Sequence, residues 1–260
     1  MKNIYIPLAG MLLTLAVQGH AENITDKGAE PLASRHGATL NPIARQLKCK
    51  NDGHFEWPPG GEGIPNAACK NAYLFTPDLE PWQRNQMFNE WSAYSQNLSG
   101  SAPKDKVPDG TLCAAGKNGS DTGNPQNFTG IDQPHPDWYV STVEVKDGVA
   151  KLTYDAKQVH EPSGWTIYLA KPTFNASTDV LKWDDLEKLE APQVVVPPEQ
   201  QERNKKSSYR YPGIYELNVK IPANRVNGQQ TLLYVQWERH EGPHETFFSC
   251  SDVKFTAAKS

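Results

Sequence analysis

The sequence predicts an all-β sandwich with a long loop-and-short-helix insertion near its start. Three observations support this. The second half holds at least five short β segments separated by turns. The first half is dominated by turn signals, with one stretch at helical spacing. The composition, with 21 Pro, 19 Gly and 7 Trp in 260 residues, suits a loop-rich β protein with aromatic surfaces better than a helical bundle.

From the start, Lys2 supplies a positive charge ahead of the short apolar run at residues 4–17, and Gly19-His20-Ala21 places small residues at the −3 and −1 positions. This is a secretory signal, residues 1–21, with cleavage expected after Ala21. The run is too short to span a bilayer comfortably, and no later segment approaches the ~20 apolar residues a spanning helix needs. Secretion without membrane association follows. Residues 22–35 are polar, small and aperiodic, as expected of a leader or propeptide. Residues 36–260 then form the folded domain.

Within the insertion, Pro58-Pro59-Gly60-Gly61 and Val107-Pro108-Asp109-Gly110 mark turns. Residues 80–94 place Trp82, Met87, Phe88 and Trp91 at three- and four-residue spacings, which predicts a short helix. A helical aromatic stripe is more often core than surface, and Trp91 is expected to be buried. Residues 143–145 and 150–154 flank Asp147-Gly148, the mark of a β-hairpin. Strands are expected at 165–169, 214–221, 231–237 and 246–255, and an exposed loop at 199–206.

The formal charge of −4 gives no basic field for nucleic acid. Cys49, Cys69, Cys113 and Cys250 show no C-x-x-C spacing, which argues against a thiolate zinc site or a thioredoxin-like motif. In an exported chain they are expected to form two disulfides, with three connectivities possible. Each of the seven histidines, taken alone, is more often solvated or core than a metal ligand.

Context singles out two of them. His36-Gly37 is followed by Pro42, Arg45 and Cys49. Further on come Asn66-Ala67-Ala68-Cys69-Lys70, Val107-Pro108-Asp109-Gly110-Thr111-Leu112-Cys113 and His160 five residues before Trp165. Tyr168-Leu169-Ala170-Lys171-Pro172, Trp183-Asp184-Asp185-Leu186-Glu187 and Glu245-Thr246-Phe247-Phe248-Ser249-Cys250-Ser251-Asp252-Val253 complete the series. In this order and spacing, over about residues 36–256, the chain resembles the bacterial-type lytic polysaccharide monooxygenases of auxiliary activity family ten, also called chitin-binding type 4 domains.

The resemblance implies an immunoglobulin/fibronectin-III-like β-sandwich and a secreted copper enzyme that cleaves crystalline polysaccharide oxidatively. One copper ion would be held by the α-amine and imidazole of His36 and by His160, donors that suit copper in a tetragonal site with open positions. Phe247 would lie beside the axial position, and Glu245 would position the oxygen co-substrate. Disulfides Cys49–Cys69 and Cys113–Cys250 are implied as well. The expected partners are insoluble chitin or cellulose, an external electron donor, and dioxygen or hydrogen peroxide, acting on a monomer. Chitin is slightly favoured, with oxidation at C1. Trp57, among Pro and Gly, and Phe88 are the aromatic residues expected to contact the sugar, in an insertion that also carries Tyr73 and Trp91.

Two features depart from the family pattern. The copper site implied by the resemblance needs a free amine on His36, so a second cut, between Arg35 and His36, must follow signal cleavage. Gln158 stands two residues before His160, where the family usually carries alanine. Both features motivate an alternative class, a non-catalytic chitin- or cellulose-binding protein or adhesin. A hydrolytic glycosidase is disfavoured, because nothing marks a pair of catalytic carboxylates.

Overall fold

The computed structural model describes residues 37–123, 125–195, 212–240 and 244–259. The signal, the leader, His36 and the loop expected at 199–206 lie outside them. The insertion comprises β1 (Gly37–Asn41), α1 (Arg45–Asp52), α2 (Ala67–Leu74), α3 (Pro81–Asn89), β2 (Ser95–Asn97) and α4 (Pro103–Lys106). The sandwich strands are β3 (Val140–Lys146), β4 (Val149–Ala156), β5 (Ser163–Ala170), β6 (Leu186–Lys188), β7 (Gln193–Val195), β8 (Gly213–Lys220), β9 (Thr231–Arg239) and β10 (Glu245–Ala257).

The hydrogen-bonded order is β6-β5-β9-β10-β3-β4-β8-β7, with β1 added on β4 and β2 on β10. All pairs are antiparallel except β10–β3, where Asp252 lies opposite Val140. The sheet curls on itself, so β3, β4 and β8 face β5, β9 and β10 across one apolar core of Val143, Leu152, Tyr215, Leu217, Val235 and Trp237, among others. This is the all-β sandwich expected from the alternating segments. The β3–β4 turn shows why Asp-Gly marks a hairpin: Asp147 (φ 52°) and Gly148 (φ 77°) both take the left-handed conformation that a tight two-residue connection requires.

Strand β9 has no polar face, and its sequence TLLYVQW reads as a continuous run because both faces are covered. Leu233, Val235 and Trp237 point into the sandwich core. Leu232 and Tyr234 point the other way, joining Phe248 and Cys250 in a second core formed with the insertion. That core also contains Phe55, Tyr73, Phe88, Tyr94 and Phe128. The insertion is therefore a third layer with its own apolar interior.

Two covalent links and one buried ion pair hold this layer in place. Cys49 is bonded to Cys69, joining α1 to α2, and Cys113 to Cys250, joining the insertion to β10. These are the pairs implied by the family resemblance. The Arg45 guanidinium donates to both oxygens of Asp252, at 2.6 and 3.0 Å, and to the Ile131 carbonyl at 3.0 Å. It also lies over the Trp138 ring, 4.4 Å from its centroid. Arg45 and Asp252, both part of the sequence pattern, thus tie α1 to the last strand.

Candidate functional site

The N-terminal strand is fixed from its first described residue. Gly37 pairs with Ala156 at the end of β4, and its N–H donates to the Ser92 carbonyl at 3.0 Å. It has φ +146°, and a Cβ here would fall 2.2 Å from the Asp155 carbonyl oxygen and 2.7 Å from the Tyr154 ring. Only glycine fits at a backbone approach this close. The glycine of the His-Gly pair is therefore required by the packing of β1 on β4.

Four residues beyond β4, His160 is 3% exposed. The Tyr215 hydroxyl of β8 grips its backbone from both sides, accepting from the His160 N–H at 3.2 Å and donating to its carbonyl at 2.8 Å. Burial, reinforced by the nearby Glu161 charge, holds the Tyr215 phenol far above its ordinary pKa, so it remains a donor. The imidazole centroid lies 6.0 Å from the Trp237 ring. Around Trp237 stand Tyr154 at 5.4 Å, Trp165 at 5.7 Å, Tyr215 at 5.6 Å and Phe247 at 5.3 Å. Tyr154, which also contacts Gly37, thus links the start of β1 to the cluster that seats His160.

Phe247 lies on β10, opposite Trp237 of β9 and Ser95 of β2, and is fully buried. Two residues earlier, Glu245 is partly exposed and held on both oxygens. Oε1 accepts from Ser95 Oγ at 2.8 Å, and Oε2 pairs with Arg239 Nη1 at 3.0 Å. Its carboxylate therefore has a fixed orientation at the end of the hairpin. Arg239, at the end of β9, is the partner of Glu245. Sequence reasoning missed Ser95 entirely, because the three-residue strand that carries it lies 150 positions away.

The aromatic expectations divide. Trp57 is 77% exposed, and Trp82, named in the helical stripe but not as a sugar contact, is 63% exposed. Phe88 is fully buried against Phe55 and Tyr73, with ring centroids at 5.2 and 6.4 Å, so it cannot contact a polysaccharide. The three- and four-residue spacing that marks it as helical also turns it into the core. Tyr73 is likewise buried. Trp91, expected to be buried, is half-exposed beside Ala38, Ala44 and Leu47, with the Lys157 ammonium 4.8 Å above its ring. Gln158 is half-buried. Among the described residues, no three His, Cys, Asp or Glu side chains already surround one point.

A sandwich whose N-terminal strand, buried histidine, apolar strand residue and oriented carboxylate meet at one end of the sheet agrees with the comparisons. The sequence model of the family described as lytic polysaccharide mono-oxygenase, cellulose-degrading, matches residues 36–253, and the chain belongs to that family. Its relatives include a spindolin of Heliothis armigera entomopoxvirus, 30% identical over 247 residues that span 86% of this chain and 68% of the spindolin. A lytic cellulose monooxygenase of Streptomyces ambofaciens is 30% identical over 254 residues, which span 98% of this chain and 62% of that enzyme. Among solved structures, the cellulose-active monooxygenase CelS2 in complex with copper superposes with TM-score 0.59 at 26% identity, covering 86% of this chain and 100% of that one.

Proposed function

We propose that this protein is a secreted, copper-dependent monooxygenase that cleaves glycosidic bonds in crystalline polysaccharide. The reading rests chiefly on one observation: a buried histidine in an aromatic cluster, reached through Tyr154 from the residue that follows His36, with an oriented carboxylate and a buried phenylalanine on the neighbouring strand. The donor chemistry fits copper. His160 offers an imidazole whose backbone is fixed by Tyr215, and the buried Phe247 would add no donor of its own. His36 would add its α-amine and imidazole. When bound, copper would supply the one-electron chemistry that lets an external reductant activate dioxygen or hydrogen peroxide.

The remaining roles belong to the protein's own groups. Arg239 and Ser95 hold Glu245 so that its carboxylate presents a fixed hydrogen-bonding edge to the oxygen co-substrate. The aromatic cluster excludes water from the buried side of His160. Trp57 presents an exposed ring for stacking on a sugar face, and the rigid disulfide-tied insertion needs no lid. The substrate is chitin or cellulose, with chitin slightly favoured, and oxidation falls at C1.

Maturation proceeds in two cuts, after Ala21 and then between Arg35 and His36, leaving a monomeric domain over residues 36–260. Intact mass and copper titration of the secreted protein test this together. A chain beginning at His36 that binds one tight equivalent of copper is expected. A chain that stays at Glu22 and binds no tight copper would instead favour a non-catalytic polysaccharide-binding protein, the reading to which Gln158 also points.

A further inference from the structure

The β9–β10 hairpin carries a second group of metal-ligating side chains that the proposed function does not use. The ladder ends at the Glu238–Thr246 pair, and His240 and His244 stand just beyond it, one at the adjoining end of each strand, His244 with φ 53°. Glu238, His240 and His244 are grouped by contact at this end of the strands, while Arg239 and Glu245 form a separate ion pair. His244 Nδ1 lies 3.2 Å from Glu238 Oε1, the two imidazole centroids are 6.4 Å apart, and both histidines are exposed.

Strand β5 accommodates the first ring. The His240 N–H donates to the Pro162 carbonyl at 3.3 Å. Its Nε2 lies 2.7 Å from where a Cβ on Gly164 would stand, so a glycine at 164 leaves room for the imidazole beside the sheet. Two imidazoles this near each other, at the adjoining ends of paired strands, can reach one ion. A carboxylate hydrogen-bonded to one ring nitrogen fixes the tautomer and frees the other nitrogen as a ligand.

We propose that His240 and His244, oriented by Glu238, bind a divalent transition-metal ion such as Cu²⁺, Ni²⁺ or Zn²⁺ at a site distinct from the one assigned to His36 and His160. Neutral imidazole pairs suit these ions, and water completes the coordination. The centroid separation is slightly wide for a shared ligand pair, so the exposed rings must turn towards each other about their side-chain bonds. A protein with both sites filled would carry two copper ions, the second more weakly held and more readily removed.

The test is Zn²⁺ titration by calorimetry of the full secreted chain carrying His36→Ala and His160→Ala, which removes both imidazoles of the other site. One equivalent is expected to bind. His240→Ala and His244→Ala should each weaken it about 10-fold or more by destroying the chelate, with His135→Ala as an unaffected control. Both substitutions lie at exposed positions and should leave the melting temperature unchanged. Binding that survives the His240→Ala/His244→Ala double variant, or the absence of a stoichiometric site, would overturn the proposal. Neither result would bear on copper binding at His36 and His160.

Discussion

Arg45→Met tests how the insertion is fastened to the sandwich. The wild-type guanidinium spends three hydrogen bonds inside the protein, two on Asp252 and one on the Ile131 carbonyl. The Arg45 and Asp252 side chains are 4% and 0% exposed. Methionine preserves much of the packing volume against Trp138 but leaves a buried carboxylate without its counter-charge. Breaking one side of such a pair costs about 3–5 kcal/mol. At roughly 2–4 °C per kcal/mol for a domain of this size, the melting temperature should fall by about 6–20 °C. The double variant Arg45→Met/Asp252→Leu should recover most of this, because removing both charges also removes their desolvation cost. Urea unfolding followed by tryptophan fluorescence measures all three proteins. A single variant within about 0.5 kcal/mol of wild type, or a double variant no better than the single, would refute the reasoning.

Three further predictions follow from the same layer and its edges. Replacing Cys113 and Cys250 by serine opens a 137-residue loop and should cost about 5 kcal/mol by loop-closure entropy, against about 3 kcal/mol for the 20-residue Cys49–Cys69 loop; denaturant midpoints under oxidising conditions compare them. Burial raises the Asp132 carboxyl to about 8, against the opposing hydrogen bonds from the Cys113 and Ala114 N–H groups and the Arg45 charge. The folded chain therefore keeps this proton where the unfolded chain has lost it, so this group's contribution to stability should decline as pH rises from about 4 to about 8, a slope that Asp132→Asn should remove in urea titrations across that range. Gly37→Ala should destabilise the fold by more than about 1 kcal/mol, because the new Cβ collides with the Asp155 carbonyl at a positive φ; a melting temperature equal to wild type would contradict this.

The sandwich was legible in the sequence because its strands alternate cleanly or end in turn chemistry, as Asp147-Gly148 does. The first helices were not. In α1, Arg45 and Gln46 are buried beside Leu47 and Cys49, so polar residues occupy inward positions and erase the amphipathic pattern. In α2, the buried Ala68, Cys69 and Ala72 are too small to give a periodic signal. The candidate site could be proposed from the sequence, through the family resemblance, where its residues keep fixed spacing from a cysteine or a tryptophan, as Phe247, Glu245 and His160 do. Ser95 and the role of Arg239 depend on long-range register, which no local pattern encodes. Phe88 shows the opposite failure: its helical aromatic spacing pointed to the core, where the ring lies, and the sugar-contacting role expected of it ran against that signal.

The most direct test of the central claim is mass spectrometry of the soluble products released from chitin and from cellulose by the mature protein with copper and a reductant. The account predicts oligosaccharides bearing an oxidised C1 end, lost on omission of copper and in the His160→Ala variant. Products undiminished in that variant, or no soluble oxidised products from either polymer with a chain that begins at His36, would contradict it.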